Sequence, residues 1–461
     1  MNTQAVLTAM LPEHLLLLGI VLVIGVEIAG RWQRAALTIA MLCVGAAAVA
    51  AAALALQGYA AAPFAGQFSV NPQGLLAKAM VLALALPVLL MSQGEFDEGG
   101  EYPALLLSSL YGVCLMQSAD SFLTLFLGLE IMSLPVYVLV LLAWRRPQSA
   151  EAALKYLVLG GAASATLLMG ASLLYGSTGS LDIAAFAKAL GSANPLARAA
   201  VVLVLLAFFL KAAVVPFHTW APDAYEAASV PVTAYMAVII KAAVLLAAVR
   251  LFGNATLGTP MLELLAVLPL ASIVWGNLAA MRQPSLRRMI AYSSIAHAGY
   301  LFYAMLGSPA GRLQSVAFYI LAYGLLNLLA LAALPAAADD AERDKLDNLK
   351  GLFHRSPMAA LMIGIAMLSL AGIPPFPGFV GKFLIFKNVM AAGHVGYAVL
   401  GLVGSYLGIY FYLRVVQFMF MSPDARVSPV RERTLAIGAS VACLAAALLV
   451  SVFPGWVISH L

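Results

Sequence analysis

The chain has 461 residues and is strongly apolar, since 63% of its residues are hydrophobic and only 10% carry a charge. Soluble domains are about half apolar and about a quarter charged, so the composition excludes an ordinary soluble protein and predicts one that lies in a membrane. The net charge of +5 comes from basic residues in the predicted loops. No basic cluster lies outside these loops, which argues against nucleic-acid binding.

Nothing in the sequence indicates a bound cofactor. The cysteines Cys43, Cys114 and Cys443 lie in separate apolar runs, and their scatter fits neither a disulfide framework nor a metal site. We find no glycine-rich nucleotide loop and no pair of helical histidines suited to haem. Any redox chemistry is therefore expected in a partner.

Apolar runs long enough to cross a bilayer recur along the chain. A spanning helix needs about 20 predominantly apolar residues, which predicts an all-α polytopic membrane protein with about fourteen transmembrane helices. No basic segment precedes the first run, so we interpret it as a retained helix and not as a cleaved signal peptide. The predicted helices cover residues 11–29, 35–56, 73–92, 102–118, 121–143, 151–175, 198–216, 231–251, 259–280, 286–306, 312–336, 357–391, 395–421 and 434–458.

Two of these helices are interrupted by proline. The seventh ends in the run Pro216–Pro222, and the twelfth contains Gly372–Gly378 in its middle. Proline removes a backbone donor and clashes with the preceding turn. Unpaired backbone at membrane depth is tolerated only where protein or a water-filled cavity covers it. We therefore predict two broken helices that border a polar interior.

The two breaks occupy equivalent places in two units of the chain. Pro216 lies 114 residues after residue 102, and Pro374 lies 115 residues after residue 259. Inverted repeats with discontinuous helices are a common transporter design, and five helices in each unit would invert the second unit. The predicted parts are a three-helix segment at 1–101, a first five-helix repeat at 102–251, a second at 259–421 and a C-terminal helix at 422–461.

Basic residues concentrate in the loops that follow odd-numbered helices. Because cytoplasmic loops carry an excess of lysine and arginine, these loops are predicted to be cytoplasmic and both termini to face outward. The loops after even-numbered helices hold little beyond Lys188, Arg198 and Arg312. The basic residues of the odd-numbered loops are Arg31, Arg34, Arg145, Arg146, Arg282, Arg287, Arg343, Lys345, Lys350, Arg355, Arg426, Arg431 and Arg433.

Four ionisable residues, Glu130, Lys211, Lys241 and Lys382, lie where the predicted helices should be deepest in the membrane. A charge at the bilayer centre costs about 2.5–3.5 kcal/mol even on the lenient insertion scale, so these residues should face the protein interior and one another. Burial disfavours the charged form of a lysine, while a nearby carboxylate favours it. A lysine held between these effects can take up and release a proton when its neighbour moves, which predicts a proton relay.

Three further residues have competing interpretations. Lys155 lies one turn inside its helix, where it either joins the relay or extends to the cytoplasmic surface. His297 lies mid-helix among hydroxyl residues, and its imidazole either passes protons or is a hydrogen-bonded core group. His218 lies at the first break, where it either gates the relay or caps exposed carbonyls.

Several motifs in the chain are specific. They are Lys211–Glu226 with its continuation through Pro231–Ala234 to Lys241, Gly128–Glu130 with Pro135 and Tyr137, Glu151–Tyr156, and Ala371–Phe383. Together they resemble the antiporter-like membrane subunits of respiratory complex I over roughly residues 100–420. Within this family the chain is most similar to the subunit N branch of the bacterial NADH:quinone oxidoreductases. It has one helix beyond the repeats in place of a long lateral helix, and a lysine at 382 where subunit M typically has a glutamate.

The resemblance implies a proton-pumping membrane subunit that is driven by quinone reduction elsewhere in the complex. Glu130 and Lys211 would form a paired switch, Lys241 the central relay and Lys382 the exit-side group. NADH, FMN, iron–sulfur clusters and quinone would be bound by partner subunits, both membrane and hydrophilic. The implied location is the bacterial inner membrane, in contact with lipid, with both termini on the periplasmic side.

Two departures from the family pattern stand out, and two other functions compete. Ala227–Ser229 replaces the more usual Gly-Ala-Pro/Ser sequence, and the tenth helix has no acid that mirrors Glu130.

The first alternative function is a subunit of a multi-subunit cation/proton antiporter, which has the same broken-helix lysines. The second is a non-conducting membrane scaffold in which the buried charges only determine helix packing.

Overall fold

A computed structural model describes residues 3–30, 33–96, 101–143, 146, 148–253, 255, 258–336, 343–422 and 433–460. The described chain is built of helices, with one small β-hairpin near its N-terminal end. In the N-terminal segment the elements are α1 Thr3–Ala9, α2 Leu11–Ile28, α3 Gln33–Leu56, β1 Ala61–Phe64, β2 Phe68–Val70 and α4 Pro72–Met91. The two strands pair in antiparallel orientation, with Ala61 opposite Val70.

The predicted first repeat contains long helices and two short ones. These are α5 Glu101–Gln117, α6 Phe122–Leu141, α7 Gln148–Thr178, α8 Ile183–Leu190, α9 Pro195–Ala212, α10 Trp220–Ala227, α11 Val230–Tyr235 and α12 Lys241–Phe252. A π-helical segment, Met236–Ile240, joins α11 to α12 in one continuous rod.

The predicted second repeat follows the same plan. Its helices are α13 Thr259–Ala280, α14 Leu286–Tyr303, α15 Pro309–Ala332, α16 Leu346–Leu349, α17 Leu352–Arg355, α18 Pro357–Ala371, α19 Pro377–Ala391 and α20 Val395–Phe420. A 3₁₀ turn, Ala304–Leu306, extends α14. The chain continues with α21 Thr434–Val452 and α22 Pro454–His460.

The predicted all-α membrane fold with two broken helices is confirmed, and helices occupy all fourteen predicted positions. Within the described residues, eleven helices are long and apolar enough to cross a membrane. The count of fourteen spans and the boundaries of the four parts remain predictions. The last predicted helix, 434–458, is in fact two helices, because α21 ends at Val452 and proline begins α22.

The rod formed by α11, the π-helical segment and α12 lies with α15 at the centre of the molecule, where both are almost completely enclosed by protein. On one side α7 packs against both halves of the first broken helix, α9 and α10. On the other side α15 packs against both halves of the second, α18 and α19. Because α10 also packs against α14, the first broken helix reaches into the second repeat.

Both breaks begin where a helix ends in a residue of left-handed backbone conformation. Ala213 follows α9 with φ 60°, and Gly372 follows α18 with φ 89°. After α9, the Val214 N–H donates to the Phe209 carbonyl at 2.9 Å, a typical way to satisfy one of the last carbonyls of a helix. The last carbonyls of each half-helix find different partners, since Leu210 of α9 accepts from the Trp220 indole N–H and Leu370 and Ala371 of α18 accept from Lys382.

The described residues do not include all of the loops used to predict orientation. Arg31, Arg145, Arg426 and Arg431 lie outside the described part of the chain, and the side chain of Arg34 is not described. The orientation of the chain in the membrane therefore remains a prediction.

Candidate proton-relay site

The structure brings Glu130 and Lys211 together, as their sequence positions predicted. Glu130 lies on α6 and Lys211 on the last turn of α9, and the Lys211 Nζ is 3.7 Å from the Glu130 Oε1. Lys211 also donates hydrogen bonds to the Ser133 Oγ at 3.1 Å and to the Tyr137 hydroxyl at 3.2 Å. The Ser164 hydroxyl donates to Glu130 from α7. The lysine side chain is 3% exposed and the carboxylate 22%, so the pair lies within the protein.

A glycine makes room for this cluster. Gly160 of α7 lies against Tyr137, and a Cβ atom at residue 160 would be 1.9 Å from the Tyr137 hydroxyl oxygen. Such a separation is well inside van der Waals contact, so any side chain at 160 would displace the tyrosine hydroxyl that accepts from Lys211. The close approach of α7 thus determines where the lysine finds its hydroxyl partners.

Lys241 is buried in the central rod and has a partner of a different chemical type. Its Nζ donates to the Ser294 carbonyl at 2.5 Å and to the Ser294 hydroxyl, both on α14. The Tyr225 hydroxyl of α10 lies 3.4 Å from the same serine oxygen. The π-helical segment ends immediately before Lys241, and π-bulges are frequent at functional sites.

His297 lies one turn beyond Ser294 on α14 and uses both ring nitrogens. Its Nδ1 is 2.7 Å from the Tyr319 hydroxyl and its Nε2 is 3.0 Å from the Tyr412 hydroxyl. The Tyr412 hydroxyl in turn lies 2.5 Å from the Ser293 Oγ. The imidazole therefore bridges α15 and α20 within a network of hydroxyl groups that can exchange hydrogen bonds.

Lys382 of α19 is bound by the end of the preceding half-helix. Its Nζ donates to the Leu370 and Ala371 carbonyls at 3.0 and 3.1 Å, and it lies 5.3 Å from the centre of the Tyr300 ring. The C-terminal end of a helix carries a partial negative charge that favours a cation. The backbone carbonyls of α18 thus stabilise the charged form of Lys382, as the Glu130 carboxylate stabilises the charged form of Lys211.

Lys155 lies at the cytoplasmic side of the predicted orientation, in a cleft of about 510 Å³. We call this the inner cleft, and the residues that define it are Glu151, Lys155, Asp223, Glu226 and Arg288. Lys155 is 45% exposed and its Nζ lies 2.7 Å from both Glu151 and Asp223, while Arg288 contacts Asp223 at 2.9 Å. Two basic side chains, Lys155 and Arg288, thus bind the two oxygens of the Asp223 carboxylate.

His218 lies apart from the other predicted residues. The Trp275 indole N–H donates to its Nε2 at 3.0 Å, and Trp275 is 51% exposed on the outside of the helix bundle. In the described part of the chain, the histidine forms no hydrogen bond with Lys211, Lys241 or Lys382. Its predicted role as a gate therefore has no geometric support beyond its place in the break.

One helix links the second half of the site. Ser294, His297 and Tyr300 occupy successive turns of α14 and contact Lys241, a hydroxyl network and Lys382 in that order. The sequence analysis named His297 but missed Tyr319 and Tyr412, because a tyrosine in an apolar run has no signal that separates it from core packing. It also missed Asp223 and Arg288, although charged residues near a helix break are a signal of a functional site.

A second buried ion pair, also missed from the sequence, lies in the N-terminal segment. The Lys78 Nζ of α4 is 2.5 Å from the Glu13 Oε1 of α2, and both side chains are fully buried. Each residue lies near the start of a predicted helix, where a charge usually reaches the membrane surface. From their sequence positions, Glu13 and Lys78 would both be expected to be exposed at the membrane surface.

The sequence pattern of a family of transmembrane proteins, described as NADH:quinone oxidoreductase/Mrp antiporter, matches residues 119–408, which include Glu130, Lys211, Lys241 and Lys382. A relative from Pelobacter propionicus named NADH-quinone oxidoreductase subunit N is 40% identical over 419 residues, or 90% of this chain and 89% of the relative. The chain belongs to this family. A subunit N from Granulibacter bethesdensis is 35% identical and covers 96% of this chain and 94% of its own length.

Solved structures agree with this assignment. A chain of respiratory complex I from Thermus thermophilus with bound aureothin is 36% identical, with a TM-score of 0.84 over 97% of this chain and 98% of that one. A chain of the Mrp complex from a Dietzia species has a TM-score of 0.86 over 100% and 96%, but at 24% identity it shows the fold alone. The resemblance to the subunit N branch, inferred from the motifs, is confirmed.

Proposed function

We propose that the chain is a proton-translocating membrane subunit of a respiratory NADH:quinone oxidoreductase. The observation that carries the proposal is the series of groups that α14 presents between Lys241 and Lys382, namely Ser294, His297 and Tyr300. Burying polar groups costs free energy unless they are hydrogen-bonded, and here the Ser294 hydroxyl accepts from Lys241 and the Lys382 Nζ lies over the Tyr300 ring. The series provides neighbouring hydrogen-bonding groups between two lysines.

The pair at the first break acts as a switch. At about 4 Å and an effective dielectric near 20, opposite charges attract by roughly 4 kcal/mol, which favours the ammonium form of Lys211 while Glu130 is close. When the pair separates, burial favours the neutral amine, and Lys211 releases its proton towards the centre of the molecule. Return of Glu130 restores the ammonium form, with a proton taken up from the inner cleft.

The second half of the site receives and releases the proton. Lys241 is the central relay, and the hydroxyl and imidazole groups of α14 connect it to Lys382. Lys382 is the exit-side group, since the carbonyls of α18 favour its charged form without a permanent acid partner. A shift of α19 relative to α18 would remove these acceptors and favour proton release.

The energy for these steps comes from partners. The proposed assembly contains membrane and hydrophilic subunits that bind NADH, FMN, iron–sulfur clusters and quinone, while this chain binds none of them. It lies in the bacterial inner membrane with both termini on the periplasmic side. The names of the relatives and the complex I structure support membership of a multi-subunit respiratory complex.

Purification in mild detergent tests the proposal. A tagged chain should carry with it flavin- and iron–sulfur-containing subunits, and the preparation should oxidise NADH with quinone and acidify the outside of membrane vesicles in a defined ratio. The tagged chain purified free of its partners should transfer no electrons. Co-purification with a set of membrane subunits without redox groups, and sodium-dependent proton exchange, would contradict the proposal and indicate the antiporter. An unchanged ratio of protons to electrons in a fully assembled Lys241→Ala variant would indicate the scaffold.

A further inference from the structure

A second cleft opens at the opposite end of α6 from the inner cleft. It has a volume of about 870 Å³ and includes Gly66, Gln73, Asp120, Asp182, Arg250 and Arg312 in its lining, and we call it the outer cleft. Asp120 precedes α6 and Arg146 of the inner cleft follows it. A 20-residue helix is about 30 Å long, so the two clefts approach the relay from opposite faces of the bundle.

Arg250 is anchored between the outer cleft and the protein interior. Its Nη1 donates to the Gln117 carbonyl, and its Nη2 is 3.4 Å from the Asp120 Oδ1. The Gln117 side chain, 1% exposed, donates in turn to the Ala243 carbonyl of α12 at 3.0 Å. The guanidinium, with a side chain 25% exposed, is therefore held by backbone and side-chain partners where the cleft meets the central rod.

The same rod carries Lys241. Arg250 is nine residues further along α12, which places it about 13–14 Å towards the outer cleft at 1.5 Å per residue. In the other direction, Lys241 meets Ser294, and Tyr225 beside that serine lies on α10, the helix that supplies Asp223 and Glu226 to the inner cleft. The central lysine thus has polar neighbours on its inner side and a fixed cation on its outer side.

A fixed arginine at this place repels protons. Arginine keeps its charge at every physiological pH and so cannot pass a proton on. A positive group in a narrow aqueous path raises the energy of any further cation there, and channels exclude protons and cations by such means. Gln117 accepts from Arg250 and donates to the Ala243 carbonyl, two residues from Lys241, so it is the polar contact through which a proton on Lys241 would approach the outer cleft and bypass Lys382.

We propose that Arg250 is the electrostatic barrier that prevents protons on Lys241 from leaking into the outer cleft, and so directs them along α14 to Lys382. This inference rests on the proposed function, because a barrier has a purpose only if Lys241 carries protons. It assigns to Arg250 a role in directing protons and not in the relay itself.

The test compares Arg250→Gln with Arg312→Gln in the whole complex reconstituted into vesicles. Arg312 lines the same cleft, but its guanidinium donates to the Met305, Gly307 and Ala255 carbonyls and has no hydrogen bond to Gln117. A pH gradient is imposed without NADH, and its decay is followed with a fluorescent dye. Arg250→Gln should leak protons about tenfold faster or more, since a fixed charge changes local ion concentrations by factors of about 10–10³. Arg312→Gln should remain as tight as the unmodified complex.

Charge restoration makes the test independent of packing. An Arg250→Cys variant should leak, and modification from the outer side with a cationic methanethiosulfonate should seal it, whereas an anionic reagent of similar size should not. Adding Lys241→Ala to Arg250→Cys should abolish the leak. A tight Arg250→Cys complex, or one sealed equally by both reagents, would overturn the inference. If Lys241→Ala alone leaves pumping unchanged, the proposed function fails as well, so the two failures can be distinguished.

Discussion

The three buried lysines of the relay differ in the chemistry of their partners. Lys211 has a carboxylate, Lys241 has a serine hydroxyl and carbonyl, and Lys382 has two carbonyls at a helix end. A helix C-terminus contributes about 0.3–1 kcal/mol to a cation and up to ~2 kcal/mol in buried geometry. Proton affinity can therefore be tuned separately at each step, although all three groups are primary amines.

Ser294 is the residue whose loss should separate a relay from a core contact. Ser294→Ala removes the hydroxyl partner of Lys241 and leaves its carbonyl partner in place. Because a hydrogen bond to a charged group is worth about 1.5–3 kcal/mol, we expect proton pumping coupled to NADH oxidation to fall about tenfold or more. The measurement is the proton-to-electron ratio and turnover in sealed vesicles.

Two other serine variants serve as controls for this experiment. Ser294→Thr keeps a hydroxyl and should restore most of the pumping. Ser108→Ala removes a hydroxyl that bonds only within its own helix, to the Ala104 carbonyl, and should have no effect. Normal pumping by Ser294→Ala would show that the serine only packs against Lys241.

At this scale the sequence predicted the buried charged residues Lys211, Lys241 and Lys382 and the pairing of Glu130 with Lys211, but not their serine and tyrosine partners. A lysine in an apolar run is conspicuous because of its cost in lipid. The partners are ordinary serines and tyrosines, and some lie far away in the chain, such as Tyr412, which is 115 residues from His297. Composition alone cannot select the one tyrosine among many that folding brings to a given imidazole.

The broken helices form the next scale, and their ends differ in one informative respect. The left-handed position is a glycine at Gly372 but an alanine at Ala213. Left-handed backbone costs roughly 1–2 kcal/mol for a residue with a side chain. The first break thus carries strain that the second avoids.

Exchanging the two residue types tests this difference. Gly372→Ala adds a Cβ atom 3.2 Å from the Lys382 Cδ in addition to backbone strain, so it should lower the thermal unfolding temperature of the complex and slow pumping. Ala213→Gly should be neutral or stabilising for the fold, because it relieves the strain at φ 60°. Unfolding can be followed by intrinsic fluorescence, and equal effects of the two changes would contradict this account.

The elements were predicted more completely than the contacts. Proline gives a local signal, which predicts both breaks. Pro454 gives the same signal, but the predicted helix 434–458 continues across it, whereas in the structure a new helix begins there. The π-helical segment before Lys241 has no sequence signal, since Met236–Ile240 is an ordinary apolar run. All five of its residues are buried in the enclosed centre of the molecule.

For the whole molecule, orientation is the property that remains to be measured. Lys345 lies on the face of the basic loops, and Gln57 lies beyond α3 near the hairpin, at the other face; both are exposed. In the predicted orientation, Lys345→Cys should react with a membrane-impermeant thiol reagent only from the cytoplasm and Gln57→Cys only from outside. Background labelling should be low because Cys114 and Cys443 are buried and Cys43 is half-buried. The reverse labelling pattern would invert the topology and exchange the inner and outer clefts.

At the scale of the whole molecule, the proposed relay lies between the two clefts, which open at opposite ends of α6. The inner cleft contains ion-paired acids and bases beside the first broken helix, and the outer cleft ends at an arginine that keeps its charge and does not release a proton. In the proposed mechanism, protons taken up from the inner cleft pass along successive turns of α14 from Lys241 to Lys382 before they leave near the second broken helix.

The most direct test of the central claim, that protons pass through Lys211, is the proton-to-electron ratio of a complex that carries Lys211→Arg. Arginine keeps the positive charge beside Glu130, 3.7 Å away in the native pair, but cannot release a proton in the relevant pH range. A lysine with only a structural role would tolerate this change, because the ion pair is preserved. We predict a fully assembled complex with a strongly reduced ratio and slowed turnover. A normal ratio in the assembled Lys211→Arg complex would contradict the relay.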